Sequence, residues 1–292
     1  MRSTASKVLA LAFTFFTLCA CSSSVFAQSD LWVHDEDGNL ARVDVRTGDV
    51  EIIGNMGVTM TDIAFTPDGT TLFGVSFTNF YEINPVTAMA FDIGAHGITD
   101  ANALVFDTDG TLFSASSNGT SLYEINPANG IGEVIGDVGF QSAGDLAFND
   151  GELYLSSITN ELIRVDLANG ASGTPVGFFG FSEVFGLATA NDGVLYGVSG
   201  TEIFSVNTST GIGTFVSNYT GNGIGNSFGS AFVPEPVLLG DVNLDGVIDF
   251  SDIPAFIAIL QSGGFQAEAD CDLSGTVDFG DIPAFIAILI SQ

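Results

Sequence analysis

The chain has 292 residues, of which 35 are acidic and five are basic, so its formal net charge at pH 7 is −30. A surface with this charge repels phosphate backbones, and we therefore expect no nucleic-acid partner. After residue 27 no apolar run reaches the roughly 18 residues that a membrane-spanning helix needs, so we also expect no membrane span.

The first 27 residues are typical of a secretory signal peptide. Arg2 and Lys7 precede the apolar segment Val8–Ala20, which is short for a membrane anchor, and Val25–Ala27 provides a small-residue cleavage site. An alternative interpretation is a lipoprotein signal. The string LCAC ending at Cys21 resembles a bacterial lipobox, which would leave a lipid anchor on that cysteine. Both interpretations predict a bacterial protein that is secreted or held at the cell surface.

Residues 28–233 repeat with a period near 41. One motif, LYEINPANG and its variants, begins at Leu40, Phe80, Leu122, Leu162 and Ile203. A second motif, DIAFTPDGTTLFGV and its variants, has its turn glycine at Gly69, Gly110, Gly151 and Gly193. Each period contains about four short strands rich in β-branched and aromatic residues, bounded by Asp-Gly, Asn-Gly or Asn-Pro turns. Such a period is typical of a β-propeller blade, whose apolar inner strands are buried by closing the blades into a ring.

The two motifs occur five times and four times, and this difference predicts how the ring closes. The missing inner strand is Gly229–Val233, which we expect to pair with Leu31–Val33 and complete a fifth blade. The predicted fold class is therefore mainly β, a five-bladed propeller. The repeats resemble extracellular propellers with quinoprotein-like and NHL-type blades, a resemblance that implies a fold and not a substrate.

The propeller offers few candidates for catalysis, and the sequence leaves any catalytic residue unknown. The string HDEDGN at His34 is either a metal or acid–base cluster or, as we expect, a solvated turn between two strands. His96 is expected in a loop between blades. Asp62 and Asp145 precede inner strands, where they can either line a central channel and bind cations or bond backbone groups at a blade turn.

Residues 234–239 begin with PEP and predict a stiff linker, and residues 240–292 predict a second domain with two calcium loops. In each loop oxygen-bearing side chains stand at positions 1, 3, 5, 9 and 12, glycine at position 6 permits a sharp turn, and position 7 offers a carbonyl. The predicted ligands of the first Ca²⁺ ion are Asp241, Asn243, Asp245, Val247, Asp249 and Asp252. Those of the second Ca²⁺ ion are Asp270, Asp272, Ser274, Thr276, Asp278 and Asp281.

Both loops are followed by the same nine residues, DIPAFIAIL. The duplicated loop and helix resembles the type I dockerin, a domain that docks secreted proteins onto cohesin modules, and the resemblance covers Gly240–Gln292. It implies a cohesin-like or other surface protein as partner. An EF-hand would carry Glu at position 12 and a helix before each loop. Positions 10 and 11 are Phe250-Ser251 and Phe279-Gly280, which differ from the polar pairs of cellulosomal dockerins and indicate a divergent partner.

The two repeated helices are apolar on every side, and a domain of about fifty residues cannot cover both. We therefore expect part of their surface to contact a partner. The predicted partner-binding residues are Phe250, Ser251, Phe256, Ile257, Phe279, Phe285 and Ile286. Cys271, the one cysteine left after cleavage at residue 27, is expected to point outward as an unpaired thiol.

These patterns predict a secreted, acidic binding and assembly protein. Its propeller would be a platform for a protein, glycan or peptide ligand, and its tail would attach it to a partner in a calcium-dependent way. Two alternatives stay open. One is a polysaccharide hydrolase or lyase carried by the dockerin-like domain, with two carboxylates on blade loops as acid and base. The other is a structural component of a surface layer.

Overall fold

The computed structural model describes residues 30–235, 238–272 and 274–291. The expected signal peptide and the alternative lipid site at Cys21 lie outside the described residues. Within the described residues, twenty strands form five antiparallel sheets of four strands each, followed by two α-helices. This arrangement is a five-bladed β-propeller with a small helical tail.

In chain order the strands are β1 (Asp30–Asp35), β2 (Asn39–Asp44), β3 (Val50–Asn55), β4 (Asp62–Phe65), β5 (Leu72–Val75), β6 (Asn79–Ile83), β7 (Ala90–Ala95), β8 (Ala101–Phe106), β9 (Leu112–Ser116), β10 (Ser121–Ile125), β11 (Gly132–Asp137), β12 (Ser142–Asn149), β13 (Glu152–Ser157), β14 (Glu161–Asp166), β15 (Ser172–Phe178), β16 (Val184–Thr189), β17 (Leu195–Ser199), β18 (Glu202–Val206), β19 (Gly213–Asn218) and β20 (Ser227–Ala231). From the inside outward, blade 1 is β20-β1-β2-β3, blade 2 is β4 to β7, blade 3 is β8 to β11, blade 4 is β12 to β15 and blade 5 is β16 to β19. The helices are α1 (Ile253–Ser262) and α2 (Asp281–Ile290).

Blade 1 joins the two ends of the propeller, as the unequal motif counts predict. Strand β20 pairs with β1, with Ala231 opposite Trp32 and Gly229 opposite His34. The inner strands of all five blades contact their neighbours around the ring, including β20 with β4 on one side and β16 on the other. The prediction of five blades closed by this segment is confirmed, with the strand two residues nearer the N-terminus than expected.

Apolar residues are concentrated where neighbouring blades meet. Five hydrophobic clusters of the described propeller each contain side chains from two adjacent blades, one cluster at each junction of the ring. Inner strands such as β4 are buried along their whole length, whereas outermost strands such as β7 are half-buried or exposed. A single blade cannot bury these inner strands, so closure of the ring is what completes the core.

The two repeated motifs are turns with defined roles. The Asn or Asp of the LYEINP motif accepts backbone hydrogen bonds from the residue two positions further on in every blade, at Asp44, Asn84, Asn126, Asp166 and Asn207. This Asx turn starts the connection from the third to the fourth strand. The four glycines of the second motif all have positive φ, from 67° to 90°, in the turns after the inner strands of blades 2 to 5. Both motifs therefore specify the blade rather than a ligand.

The tail packs around two stacked phenylalanines. Phe256 on α1 and Phe285 on α2 lie with ring centroids 4.0 Å apart and planes inclined by 15°, and both are 3% exposed. Each helix starts at the end of an acidic loop, so packing the rings fixes both loops relative to each other. Phe256 and Phe285 were predicted to bind a partner, but in this structure both side chains fill the tail's own core and leave little surface for one.

Cys271 also belongs to this core, contrary to the expectation that its thiol points outward. The side chain is 8% exposed and is grouped with Val242, Phe256 and Phe285. Burial, reinforced by the charges of Asp281 and Asp270, raises the pKa of Cys271 to about 11. The thiol therefore stays protonated and shielded, which disfavours crosslinking of two chains through it.

Candidate calcium loops and the channel of the propeller

The two acidic loops of the tail have the same internal hydrogen bonds. In the first loop, Asp241 at position 1 accepts hydrogen bonds from the backbone N–H of Asp245 at 3.0 Å and of Gly246 at 2.8 Å. In the second loop, Asp270 accepts from Ser274 and Gly275, both at 2.9 Å. Each loop therefore bends around the carboxylate at its own first position.

The carboxylate at position 12 closes each loop from the other end. Asp252 accepts from the backbone N–H of Asn243 at 3.0 Å and of Asp249 at 2.9 Å. Asp281 accepts from Asp272 at 3.0 Å and Asp278 at 2.8 Å, which are the same loop positions. These bonds use one lone pair on each carboxylate oxygen and leave others available inside the loop.

Positions 1 and 12 are buried, while the other predicted ligands lie on the exposed side of the loops. Asp241 and Asp270 are 5% and 6% exposed, and Asp252 and Asp281 are fully buried. The exposed members are Asn243, Asp245, Val247, Asp249, Asp272, Ser274, Thr276 and Asp278. In the second loop, carboxylate oxygens of Asp270, Asp272 and Asp281 lie within 4.8 Å of one another. Position 3 of the first loop is Asn243, so the corresponding trio there contains an amide.

The charge of the tail is entirely negative. Residues 240–292 contain nine acidic residues and no Lys, Arg or His. Backbone N–H groups supply hydrogen bonds to the four buried carboxylates but no net positive charge. Because a buried carboxylate without a counter-charge is costly, the loops provide oxygen-rich positions at which a hard cation would be stabilised.

Other predicted partner-binding residues of the tail are exposed. Phe250 and Phe279, at position 10 of the two loops, are 73% and 79% exposed. Ile257 on α1 and Ile286 on α2 occupy equivalent helix positions and are about half exposed. Ser251 is also on the surface, where its hydroxyl accepts a hydrogen bond from the Asn243 amide at 2.8 Å. Each loop and helix thus presents the same pair of apolar side chains.

Asp62 and Asp145 meet inside the channel of the propeller. Asp62 accepts from the backbone N–H of Leu104 on the next blade at 2.6 Å, and Asp145 accepts from Leu187 at 2.6 Å. Asp145 also accepts a hydrogen bond from the Ser230 hydroxyl of blade 1 at 3.3 Å. The carboxyl groups of Asp62 and Asp145 are hydrogen-bonded to each other. The pair therefore bonds backbone groups, as one of the two interpretations predicts, and connects all five blades.

The environment of this pair favours the protonated form. Burial and the charge of Asp145 raise the pKa of Asp62 well above its ordinary value, and burial likewise raises the pKa of Asp145. Neither residue lines the cavities found on the two sides of this layer. The pair thus fills the channel at this level, and we call it the plug. Its carboxyl groups do not have the exposure that an acid and a base need to reach a substrate.

His34 is buried beside the plug rather than in a solvated turn, which corrects the sequence-based expectation. A Cβ atom placed on Gly229 would collide with the Asp62 carboxyl and lie 2.7 Å from His34 Nε2, so the two side chains face the same glycine. Burial lowers the pKa of His34 to about 4, and the ring is therefore neutral. His96 lies between blades 2 and 3, as expected, where it accepts a hydrogen bond from the Ile98 backbone at 3.0 Å.

A cavity of about 430 Å³ opens above the plug, at the end of the channel where the inner strands begin. We call it the mouth cavity. The residue preceding the plug layer in each blade lines it, namely Thr61, Asn102, Gly144, Phe185 and Phe228. Phe77, which is 52% exposed, lies at its rim. Sequence analysis missed this site, although aligning the five inner strands would have placed these residues in one layer.

Comparisons with known proteins add only similarity of overall shape. No protein-family profile matches the chain, and no curated protein matches it. A chain from a study of the de novo evolutionary emergence of a symmetrical protein aligns at 19% identity with a TM-score of 0.45, covering 65% of this chain and 93% of its own. A chain of the nidogen–laminin complex aligns at 11% identity with a TM-score of 0.49, covering 72% and 87%. The propeller is assigned from its own strand pairing.

Among the described residues, no helix has the length and apolar character needed to cross a membrane.

Proposed function

We propose that this is a binding and assembly protein, in which the propeller holds a ligand and the tail attaches the chain to a cohesin-like partner when calcium is bound. The observation that carries the proposal is the matched burial of four carboxylates in two loops of a tail without basic residues. A propeller is a rigid ring with an open face, which is consistent with a platform for protein binding.

The oxygen ligands of the loops fit Ca²⁺ better than a cation that prefers nitrogen or sulfur ligands. Ca²⁺ takes six to eight oxygen ligands in flexible geometry, and each loop offers carboxylate, amide or hydroxyl oxygens at alternate positions together with one carbonyl. Glycine at position 6 has φ of 82° in both loops, Gly246 and Gly275. One bound ion per loop would balance the repulsion among carboxylates that the backbone N–H groups leave uncompensated.

The exposed apolar residues provide the docking surface in this proposal. Phe250 and Ile257 of the first repeat correspond to Phe279 and Ile286 of the second, so the tail carries two similar apolar patches. Exposed aromatic and aliphatic side chains on a small domain mark a protein-binding surface. Because loop and helix are continuous, loss of calcium would also disorganise the patches, which makes docking dependent on the ion. We further propose that the protein acts outside the bacterial cell.

The test is capture of a partner from the secreted fraction of the source organism by immobilised full-length protein. We expect capture in calcium, loss of capture in chelator, and loss of at least about ten-fold in the Ile257→Ser, Ile286→Ser double variant with calcium present. The matched control is Ile131→Ser with Ile158→Ser, which changes two equally exposed isoleucines of the propeller. Capture that is indifferent to chelator, or lost equally in the control, would contradict the docking role.

A further inference from the structure

The mouth cavity has the construction of a ligand site rather than a gap between blades. Blades 3 and 5 each carry a β-bulge at this level. In blade 3, Ala101 and Ala103 pair with successive residues of β9 and leave Asn102 unpaired. In blade 5, Val184 and Gly186 pair with successive residues of β17 and leave Phe185 unpaired. A bulge redirects a side chain that regular pairing would point elsewhere. Both unpaired residues line the cavity.

The walls of the cavity are mostly apolar and aromatic. Phe185 and Phe228 meet edge to face, with centroids 6.0 Å apart and planes inclined by 66°, and Phe77 stands at the rim. A Cβ on Gly144 would lie 2.8 Å from the Phe185 backbone, so glycine is needed for that strand to approach. The volume of about 430 Å³ lies within the range of about 300 to 1,000 Å³ that small-molecule pockets occupy.

One buried polar atom in the wall lacks a partner. Asn102 is 5% exposed, and its Nδ2 donates to the Ser142 carbonyl at 3.2 Å, which orients the amide. The other amide atom, Oδ1, has no hydrogen-bond partner among the described residues. A buried acceptor left unpaired is costly, and a ligand that donates an N–H or O–H to it would remove that cost.

The absence of charged side chains in the lining limits the class of ligand that the cavity can bind. No acidic or basic side chain lines the cavity, and the chain as a whole is strongly negative. An anion would meet no counter-charge and a repulsive field, and a cation would meet no carboxylate in the wall. The aromatic walls favour a flat ring, and Asn102 favours a ring with a hydrogen-bond donor.

We propose that the mouth cavity binds a neutral aromatic ring that carries one N–H or O–H donor, an indole or a phenol, with Asn102 Oδ1 accepting the hydrogen bond. The inference rests on the proposed role of the propeller as a binding platform and names its ligand class. The ring can belong to a free small molecule or to a Trp or Tyr side chain of a peptide.

Calorimetric titration of the full-length protein in calcium tests this with matched probes. Indole should bind at least about ten-fold more tightly than N-methylindole, and phenol more tightly than toluene, because only the first of each pair donates a hydrogen bond. N-acetyl-tryptophanamide and N-acetyl-tyrosinamide form the peptide arm. Binding of these amides would identify the source as a peptide side chain, and binding of the free rings alone would identify a small molecule.

Three variants locate the binding. Asn102→Leu, which keeps side-chain size but removes the acceptor, should weaken indole binding about ten-fold and abolish its advantage over N-methylindole. Phe77→Ser changes an exposed rim residue, so it keeps the test valid if the Asn102 variant fails to fold, and it should weaken all the rings that bind. Phe215→Ser, an equally exposed phenylalanine on β19, should change nothing.

The proposal is overturned if no probe binds at millimolar concentration, or if N-methylindole binds as well as indole. It is also overturned if Phe77→Ser and Phe215→Ser behave alike. The calcium dependence of the helical dichroism, recorded on the same samples, reports on the tail alone. Failure of ring binding with a calcium-responsive tail would therefore contradict this inference and leave the docking role intact.

Discussion

The propeller and the tail both bury carboxyl groups, but they stabilise them differently. In the propeller, Asp62 and Asp145 lie together, accept backbone hydrogen bonds from neighbouring blades and have raised pKa values. In the tail, four buried carboxylates accept hydrogen bonds from their own loops, and no basic residue lies anywhere in residues 240–292. The difference leads us to expect that the propeller folds on packing alone, whereas in our proposal the tail needs a bound cation.

The hydrophobic core of the propeller is also larger than that of the tail. The described propeller has a hydrophobic cluster at each of its five blade junctions, while the tail has one cluster built around Phe256 and Phe285. A domain of about fifty residues rarely gains more than about 3 to 5 kcal/mol from its core. At a free calcium concentration one hundred times Kd, each site would add about 2.7 kcal/mol, which is comparable to the whole contribution of that core.

The largest expected effect is loss of the tail without loss of the propeller. Asp241→Ala combined with Asp270→Ala removes position 1 from both loops, so we expect the tail to stay unfolded at any calcium concentration. Far-ultraviolet circular dichroism should show loss of the helical signal. Emission of Trp32, the single tryptophan, which packs against Phe65 in the propeller, should not change.

A matched control removes two acids outside the loops, Glu235→Ala with Glu268→Ala. This double variant should keep its calcium-dependent helical signal. If it lost that signal as completely as the loop variant, overall charge rather than ion binding would explain the effect.

A substitution in the stacked pair should be the next largest in effect. Phe256→Ala should destabilise the tail by about 3 to 5 kcal/mol, because it leaves a cavity against Phe285. Ile257→Ala, one residue along and half exposed, should cost less than about 1 kcal/mol. Urea unfolding in calcium, followed by the helical dichroism, measures both values. Similar losses for the two variants would show that Phe256 is not the core residue described here.

The propeller should lose stability as the pH rises. The folded pKa values of Asp62 and Asp145 are raised, so their contribution is fully present below the unfolded value of about 3.9 and is lost as the pH passes through the folded values. Between the unfolded and the folded pKa values, the free energy of unfolding should fall by up to about 1.4 kcal/mol per pH unit for each proton that only the folded state still binds.

Asp62→Asn should flatten this profile, because the amide donates to Asp145 without a titrating proton. Trp32 emission during denaturant unfolding at several pH values provides the measurement. Glu36→Gln, an exposed acid in the turn after β1, is the control and should leave the slope as in the parent protein. Parallel profiles for the parent and Asp62→Asn would remove the role assigned to the pair.

The smallest expected effect concerns Cys271, whose rate of modification reports on whether the tail is folded. Because this thiol is buried in the core of the folded tail, we expect slow reaction with a neutral maleimide in calcium. Chelation should accelerate the reaction at least about ten-fold, by exposing the thiol in the unfolded tail. Equal rates in calcium and chelator would indicate that the tail's core does not respond to the ion.

The regular features of the fold were predictable from the sequence because they repeat. Asx turns recur in all five blades and turn glycines in four of them at fixed spacing, and the unequal motif counts located the closing strand at β20. The pairing of loop positions 1 and 12 with equivalent backbone groups follows from the same kind of regularity, since Asp241 and Asp270 begin loops with the same spacing of oxygen-bearing residues and glycine.

The remaining features depend on how the repeats are placed in space. Two β-bulges decide that Asn102 and Phe185 line the mouth cavity, and their register shifts have no counterpart in the apolar pattern. Asp62 and Asp145 belong to blades 2 and 4, so their contact emerges only once the ring is closed. The burial of Phe256 and Phe285 could not be predicted because helices apolar on all sides do not reveal which face packs inward. Cys271 lies at position 2 of the second loop, where the sequence does not show that its side chain joins the helical core.

Titration of calcium into chelator-treated full-length protein tests the central claim most directly, with heat and helical dichroism recorded together. The account predicts two ions per chain, a helical signal that rises over the same range of calcium, and Trp32 emission that stays constant throughout. Binding of no calcium, or a helical signal as strong in chelator as in calcium, would contradict the claim that the ion folds the tail and the docking role that depends on it.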